Sequence, residues 1–247
     1  MMKSFFFSCI LLFAFTLHAQ NFQLSIVAQA GVNQIFGEAG ETGATFSLGA
    51  MYQLRSHNAL FGLYGEGGYR YEDFRRISSS LTTRTNSSSF IEKTWYHFDT
   101  HQFYVQQGLD LQIGKWDLQA FLGFELLVGG NYQRKEQVAE LGTEINLREG
   151  GLVVEGRLNQ LSINEAATSR MDMSRTDLRL GINAFYPLSD KLSLGASFSG
   201  SVIPRTAQHF YGECSGGNCD ELTTVIDGGP WVGSTRLQLQ LKYSFSR

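Results

Sequence analysis

Trp231 to Phe245 constrains the fold of this chain more than any other stretch. Its odd positions carry Trp231, Leu237, Leu239, Leu241, Tyr243 and Phe245; its even positions carry Ser234, Arg236, Gln238, Gln240, Lys242 and Ser244. Successive side chains of a strand point to opposite faces, so this pattern predicts a strand with one apolar and one polar face. It is longer and more one-sided than a strand of an ordinary soluble sheet. Aromatic residues at both ends of the apolar face suit a strand that crosses a bilayer. The remaining strands must then match it, and the first must close a sheet against it.

The N-terminus sets the compartment. Lys3, an apolar run from Phe5 to Leu17 and the small residue Ala19 form a secretory signal peptide with cleavage expected after Ala19. The run is too short for a spanning helix, and no later stretch has the ~20 apolar residues a helical span needs. Residues 20–247 then read as one all-β domain, rich in glycine (27) and poor in proline (3). Two cysteines remain after cleavage, Cys214 and Cys219, around a Ser-Gly-Gly-Asn turn. In an exported protein this spacing predicts a local disulfide, since two thiols without further ligands fall short of a zinc site. With 23 acidic against 20 basic residues and no long basic run, nucleic acid is not an expected partner.

Seven further segments alternate in the same way: Phe22 to Phe36, Ala44 to Leu54, Phe61 to Tyr71, Phe103 to Ile113, Trp116 to Tyr132, Arg175 to Tyr186, and Leu192 to Val202. Gln107 interrupts the apolar face of the fourth. Residues 73–94 and 205–230 read as loops, and 133–173 as a long connection with a hairpin-like extension. Connections between strands two and three, four and five, and six and seven are tight; those between three and four, five and six, and seven and eight are long, and a Gly-Glu-Ala-Gly-Glu-Thr-Gly loop joins the first two strands. Eight strands with short turns on one side and long loops on the other predict an eight-stranded antiparallel up-and-down transmembrane β-barrel. Short turns would be periplasmic, long loops extracellular, and both termini periplasmic.

A soluble exported barrel also alternates, so the choice rests on which face looks outward. Aromatic residues gather at the strand ends: Trp116, Tyr186, Tyr243 and Phe245 towards the short turns, and Trp95, Tyr132 and Trp231 towards the long loops. Two such girdles match two bilayer interfaces. The polar faces carry Glu66, Arg70, Asp110, Glu125, Asp177, Arg179, Arg236 and Lys242. Burying these unpaired in an apolar core would cost several kcal/mol each, whereas a membrane barrel turns them into a mutually paired lumen.

With these strands and loops in place, the chain resembles small eight-stranded outer-membrane proteins of the OmpA/OmpX type, in particular the "outer membrane protein beta-barrel domain" proteins of Bacteroidota. Leu17-His18-Ala19-Gln20 is similar to signal-peptide ends of that phylum. Tyr243-x-Phe245 resembles the C-terminal signal read by the barrel-assembly machinery, with Ser246-Arg247 beyond it as a departure. The resemblance implies residence in a bacterial outer membrane, contact with outer-membrane lipid and lipopolysaccharide, and the assembly machinery as a partner during biogenesis.

Chemistry is sparse. An eight-stranded barrel is just wide enough for its own side chains, which disfavours general diffusion. His97, Asp99 and His101 share a face near the top of the fourth strand and are the weak candidates for a base or a metal ligand set. No cofactor and no resident metal are expected. Arg75, Arg76, Arg84 and Lys93 suit anionic lipopolysaccharide groups. The leading expectation is a non-enzymatic envelope-structural or surface-interaction role. Small-solute transport, or membership of an envelope or secretion assembly, comes second, and a lipid-modifying hydrolase third.

Overall fold

The computed structural model describes residues 21–35, 42–55, 60–83, 89–141, 145–148, 153–164, 167–213, 223–225 and 231–245. Five strands come first: β1 (Asn21–Ile35), β2 (Gly43–Arg55), β3 (Phe61–Thr83), β4 (Ser89–Ile113) and β5 (Trp116–Leu141). Four short ones follow: β6 (Ile145–Arg148), β7 (Val153–Arg157), β8 (Ser162–Asn164) and β9 (Ala167–Met173). The chain then forms β10 (Thr176–Pro187), β11 (Leu192–Ile203), β12 (Arg205–Glu213), β13 (Thr223–Val225), β14 (Trp231–Val232) and β15 (Ser234–Ser244). The expected signal peptide, the Cys214 and Cys219 pair and Arg84 lie outside the described residues.

β1 to β5 pair in sequence, β5 pairs with β10, β10 with β11, β11 with β15, and β15 returns to β1, all antiparallel. The sheet is therefore closed, with eight strands in its wall and no free edge. The closing seam runs from Ser25↔Ser244 to Ile35↔Ser234, so both ends of the barrel chain lie on the short-turn side. There β4 and β5 meet at the two-residue turn Gly114-Lys115, where Gly114 has φ 61°. Only glycine takes this left-handed conformation without steric cost, so Gly114→Ala is expected to lower stability by about 1–2 kcal/mol, read as an earlier urea midpoint. The β10–β11 turn is held by the Ser189 hydroxyl, which accepts from the backbone N–H of Leu192 at 3.1 Å.

Burial along the wall follows the period of two, with the polar set inside. Ser234, Arg236, Gln238, Gln240, Lys242 and Ser244 of β15 are buried, while Leu237, Leu239, Leu241 and Tyr243 are exposed. The same inversion holds in β1, β2, β4, β5 and β11, and joins into one apolar belt around the barrel. A belt of this extent far exceeds the apolar patches of water-soluble monomers, so it faces lipid: the chain is a transmembrane β-barrel of the outer-membrane type. Phe22, Phe61, Trp116, Tyr186, Tyr243 and Phe245 flank the belt at the short-turn end, with Trp116 against Tyr186 and Tyr243 against Phe245 at ring-centre distances of 5.1 and 5.5 Å. Phe46, Tyr69 and Phe103 flank it at the other end. Gln107 projects outward within the belt, beside Gly65 and Leu122.

Several expectations are corrected above the belt. Residues 73–83 and 89–94 are strand and not loop: β3 and β4 stay paired from Phe61↔Leu111 to Thr83↔Ser89, because the hydroxyl- and Arg-rich stretch is still compatible with strand pairing outside the membrane, where the outer face need not be apolar. Within 205–230, β12 pairs with β9, β13 and β14. Trp231 to Phe245 is not one strand either. Pro204, which cannot donate to a ladder, ends β11, and across from it Gly233 separates β14 from β15, so Trp231 pairs with Thr206 in the extension and not in the barrel wall.

Tyr132 and Trp95 are corrected as interfacial aromatics. His101 pairs with Gly129 but the next residue, Gln102, pairs with Leu127, leaving Val128 as an extra residue in β5. A bulge of one residue exchanges the two faces of a strand. Below it Phe124 and Leu126 point outward; above it Tyr132 and Arg134 point inward. Tyr132 is buried, and its hydroxyl lies 2.6 Å from that of Ser169. Trp95 sits eight residues beyond Phe103, roughly 27 Å along the strand, well clear of the belt.

The extension has its own core. Phe74, Tyr96, Phe98, Leu127, Tyr132, Leu158, Met171 and Met173 pack together over the mouth of the barrel, with Ala207 against them. The sheet of β3, β4, β5 and β7 supplies one side and β9 with β12 the other. Burying a large apolar side chain contributes about 1.5–3 kcal/mol, so this is a folded cap and not a set of solvated loops.

Candidate functional site

The barrel interior is filled in layers. At the short-turn end Arg55 reaches Asp110 and, at 3.3 Å, Asp117. Lys242 donates to Gln53 at 3.2 Å and to Asp117 at 3.4 Å, and lies over the Phe185 ring at 4.6 Å. Above this ring of charge, Val27, Met51, Tyr64, Phe121 and Phe185 form an apolar plug. Glycines opposite make room for it: a Cβ on Gly181 would stand 2.3 Å from the Phe121 ring, and one on Gly195 2.6 Å from the Phe185 ring. Gln119, Asn183 and Gln240 surround the plug, with Asn183 donating to Gln119 at 3.2 Å and accepting from Gln240 at 3.3 Å.

A buried polar network occupies the other half of the lumen. Glu66 accepts from Tyr104 at 2.6 Å, and from Gln29 and Gln106 at 2.8 Å each. Arg70 stacks over Tyr104 at 4.3 Å and pairs with Glu125. Arg236 is the centre: its guanidinium binds Glu72 and Glu125 together, with the closing contacts at 2.6 and 2.7 Å. Gln102 donates to Glu72 and accepts from Arg205, which lies 3.9 Å from Glu125. Arg179 pairs with Asp177 at 2.8 Å and donates to the Ser234 carbonyl at 2.7 Å. The space left among Arg70, Gln106, Glu125, Arg179 and Gln238 is a cavity of about 10 Å³, room for about one water.

All eight lumen charges expected from the sequence are buried, but they are divided between two layers. Asp110 and Lys242 belong to the ring at the short-turn end, and the other six to the upper network. Four partners were absent from that set. Glu72 lies one position beyond the expected end of its strand, Arg205 in a stretch read as loop, and Arg55 in the tight connection between the second and third strands. Asp117 lies in phase with Glu125 on the polar face of the fifth segment. The signal for Glu72 was present, since Glu66, Arg70 and Glu72 share one phase of the alternation.

The histidine candidates are divided as well. On the outer surface just above the belt, side chains of β3 reach diagonally to β4. The Tyr69 hydroxyl meets Nδ1 of His101, and Tyr71 donates to Asp99 at 2.8 Å. Asp73 lies 2.7 Å from Nε2 of His97. Asp99 is also 3.6 Å from His97, so Asp73, His97 and Asp99 form a group whose ligand atoms all lie within 4.8 Å of one another. His101 is outside it, stacked on Tyr69. Burial, and the Asp99 carboxylate beside it, push the Tyr71 hydroxyl up to about 12, so it stays a donor at neutral pH. Asp73 escaped the sequence reading because its cross-strand pairing with Asp99 falls in the stretch read as loop. Beside the group lies a cleft of about 760 Å³ bordered by His97, Asp99, Asn131, Gln133 and Glu155.

No protein-family model matches the chain, and no curated protein matches it. Among solved structures it is similar to a major outer membrane protein from Thermus thermophilus, at 15% identity and TM-score 0.40 over 92% of this chain and 100% of that one. It is also similar to Ail, the attachment invasion locus protein of Yersinia pestis, at 12% identity and TM-score 0.35 over 91% and 97%. Neisserial surface protein A matches at 10% identity and TM-score 0.29 over 92% and 100%. The barrel architecture itself follows from the closed strand pairing.

Proposed function

We propose that this protein is a non-enzymatic outer-membrane barrel that serves envelope structure or surface interaction through its folded extension. The single observation that carries the reading is the distribution of material. The lumen is closed by the apolar plug and the Arg236 network, while β3, β4 and β5 run far past the lipid belt to build a capped surface domain. A sealed barrel bearing an elaborate rim puts its specificity in that rim. Lipopolysaccharide is the expected lipid neighbour: Tyr69, Tyr71 and Arg75 stand at headgroup level on the outer face, where a guanidinium makes charge-assisted hydrogen bonds to phosphate. The extension faces the cell exterior in this reading, with the short turns and both termini in the periplasm. Delivery there requires the barrel-assembly machinery, with Tyr243 and Phe245 at the end of β15 as its address.

Two measurements test this. Purified barrel in planar bilayers is expected to give no steady conductance, and open channels would transfer the assignment to solute transport. An epitope inserted between Thr83 and Ser89 is expected to be stained on intact cells, whereas one inserted at Gly114-Lys115 is expected to require permeabilisation. Staining with the opposite pattern would reverse the orientation. A lipid-modifying hydrolase predicts a changed lipid A mass spectrum on overexpression, and no change is the expected result.

A further inference from the structure

We propose that Asp73, His97 and Asp99 form a binding site for a divalent transition-metal ion of the zinc class, on the outer face of the β3–β4 hairpin immediately above the lipid belt.

The strand geometry assembles the site. Asp73 and Asp99 are direct cross-strand partners, and His97 lies two residues from Asp99, so all three side chains project from the same face. Two carboxylates facing each other across a ladder repel, which makes this pair unfavourable unless a cation lies between them. Arg75 offsets part of that charge from the flank, 3.5 Å from the far oxygen of Asp73, and being half exposed it is screened by water. The oxygens nearest to His97 remain directed at its Nε2.

The spacing suits an ion. Four ligands at ~2.0–2.1 Å around a tetrahedral centre stand ~3.3 Å from each other. The separations of Nε2 of His97 from Asp73 and Asp99 are 2.7 and 3.6 Å, on either side of that value, and the two carboxylates lie within 4.8 Å of each other, so side-chain rotation brings all three round an ion. The ion takes the place of the direct contact between His97 and Asp73, and two carboxylates cancel its charge. A ligating carboxylate is commonly fixed by an outer hydrogen bond, and Asp99 has one from Tyr71. One imidazole and two carboxylates select zinc, cobalt or nickel over calcium or magnesium, which take six or more oxygens. The remaining coordination position opens towards the cleft that also carries Glu155, held by a hydrogen bond from Gln133. An exchangeable ligand from solvent or from a neighbouring surface molecule would enter there.

The test uses the full-length mature barrel, untagged and refolded in detergent, titrated with Co²⁺ alone. One equivalent is expected to bind saturably with visible d–d absorption and to be displaced by Zn²⁺ but not by Ca²⁺. His97→Ala and the near-isosteric Asp99→Asn are each expected to weaken binding at least 10-fold, Tyr71→Phe about 10-fold, and His101→Ala to leave it unchanged. The gel shift between boiled and unboiled samples verifies that each variant is folded. Absence of saturable uptake by folded wild-type protein overturns the proposal. Uptake that survives His97→Ala and Asp99→Asn, or that is lost equally in His101→Ala, overturns it too.

Discussion

Arg236→Met is expected to destabilise the barrel by about 3–5 kcal/mol, the cost of removing one partner from a buried ion pair. Arg236 is almost wholly buried and is the cation shared by Glu72 and Glu125. Methionine keeps the length of the side chain and deletes the charge. Glu125 would keep Arg70 and, more distantly, Arg205, but Glu72 would be left with the Gln102 amide. The measurement is urea unfolding in lipid vesicles followed by tryptophan fluorescence, with the gel shift as a check on folding. Adding Glu72→Gln to Arg236→Met is expected to recover part of the loss, since removing both members of an interacting pair costs less than the sum of the single changes. A loss below 1 kcal/mol for Arg236→Met would show that the network fills space without bearing on stability.

The second large effect belongs to the opposite face of the same strand. Leu239 is 68% exposed at the middle of β15, two residues from Leu237 and Leu241. In water Leu239→Arg would be close to neutral. At the midplane of a bilayer the same change is expected to cost about 2–4 kcal/mol. Leu192→Arg, near the short-turn end of β11, is expected to cost about 1 kcal/mol or less. Comparing the two variants in vesicles therefore reads the depth of the belt directly. Equal and negligible costs would remove the basis for placing this surface in lipid.

The barrel was legible from sequence because a lipid-facing wall imposes a strong rule: outward residues are apolar, with Gln107 the exception, inward ones are mostly polar around the apolar plug, and the period of two shows through. The Arg236 network was half legible for the same reason. Glu66, Arg70, Glu125, Asp177 and Arg179 lie in phase within alternating segments, whereas Glu72 and Arg205 lie where the outward face meets water and the alternation is no longer enforced. The extension was only partly readable on the same grounds: the hairpin-like piece expected within 133–173 is there as β5 paired with β6 and β7, but its β3–β4 and β12 parts were read as loop. Residues 76–83 and 89–94 pair as strands with serine, threonine and arginine that satisfy no hydrophobic pattern. Asp73 near His97 is a product of cross-strand register, which composition does not contain. Tyr132 failed through one extra residue, which a period count carries forward as an error in every position after it.

That extra residue, Val128, has a consequence for how such a protein diversifies. Because the two sides of the bulge are out of step, the same strand obeys a lipid code up to Leu126 and a water code from Asn131 onward. The bulge is a seam between two sequence grammars. Residues beyond it can be exchanged, lengthened or shortened in pairs without moving a single side chain of the wall from lipid to lumen. The extension thus rides on an anchor whose pattern does not depend on it.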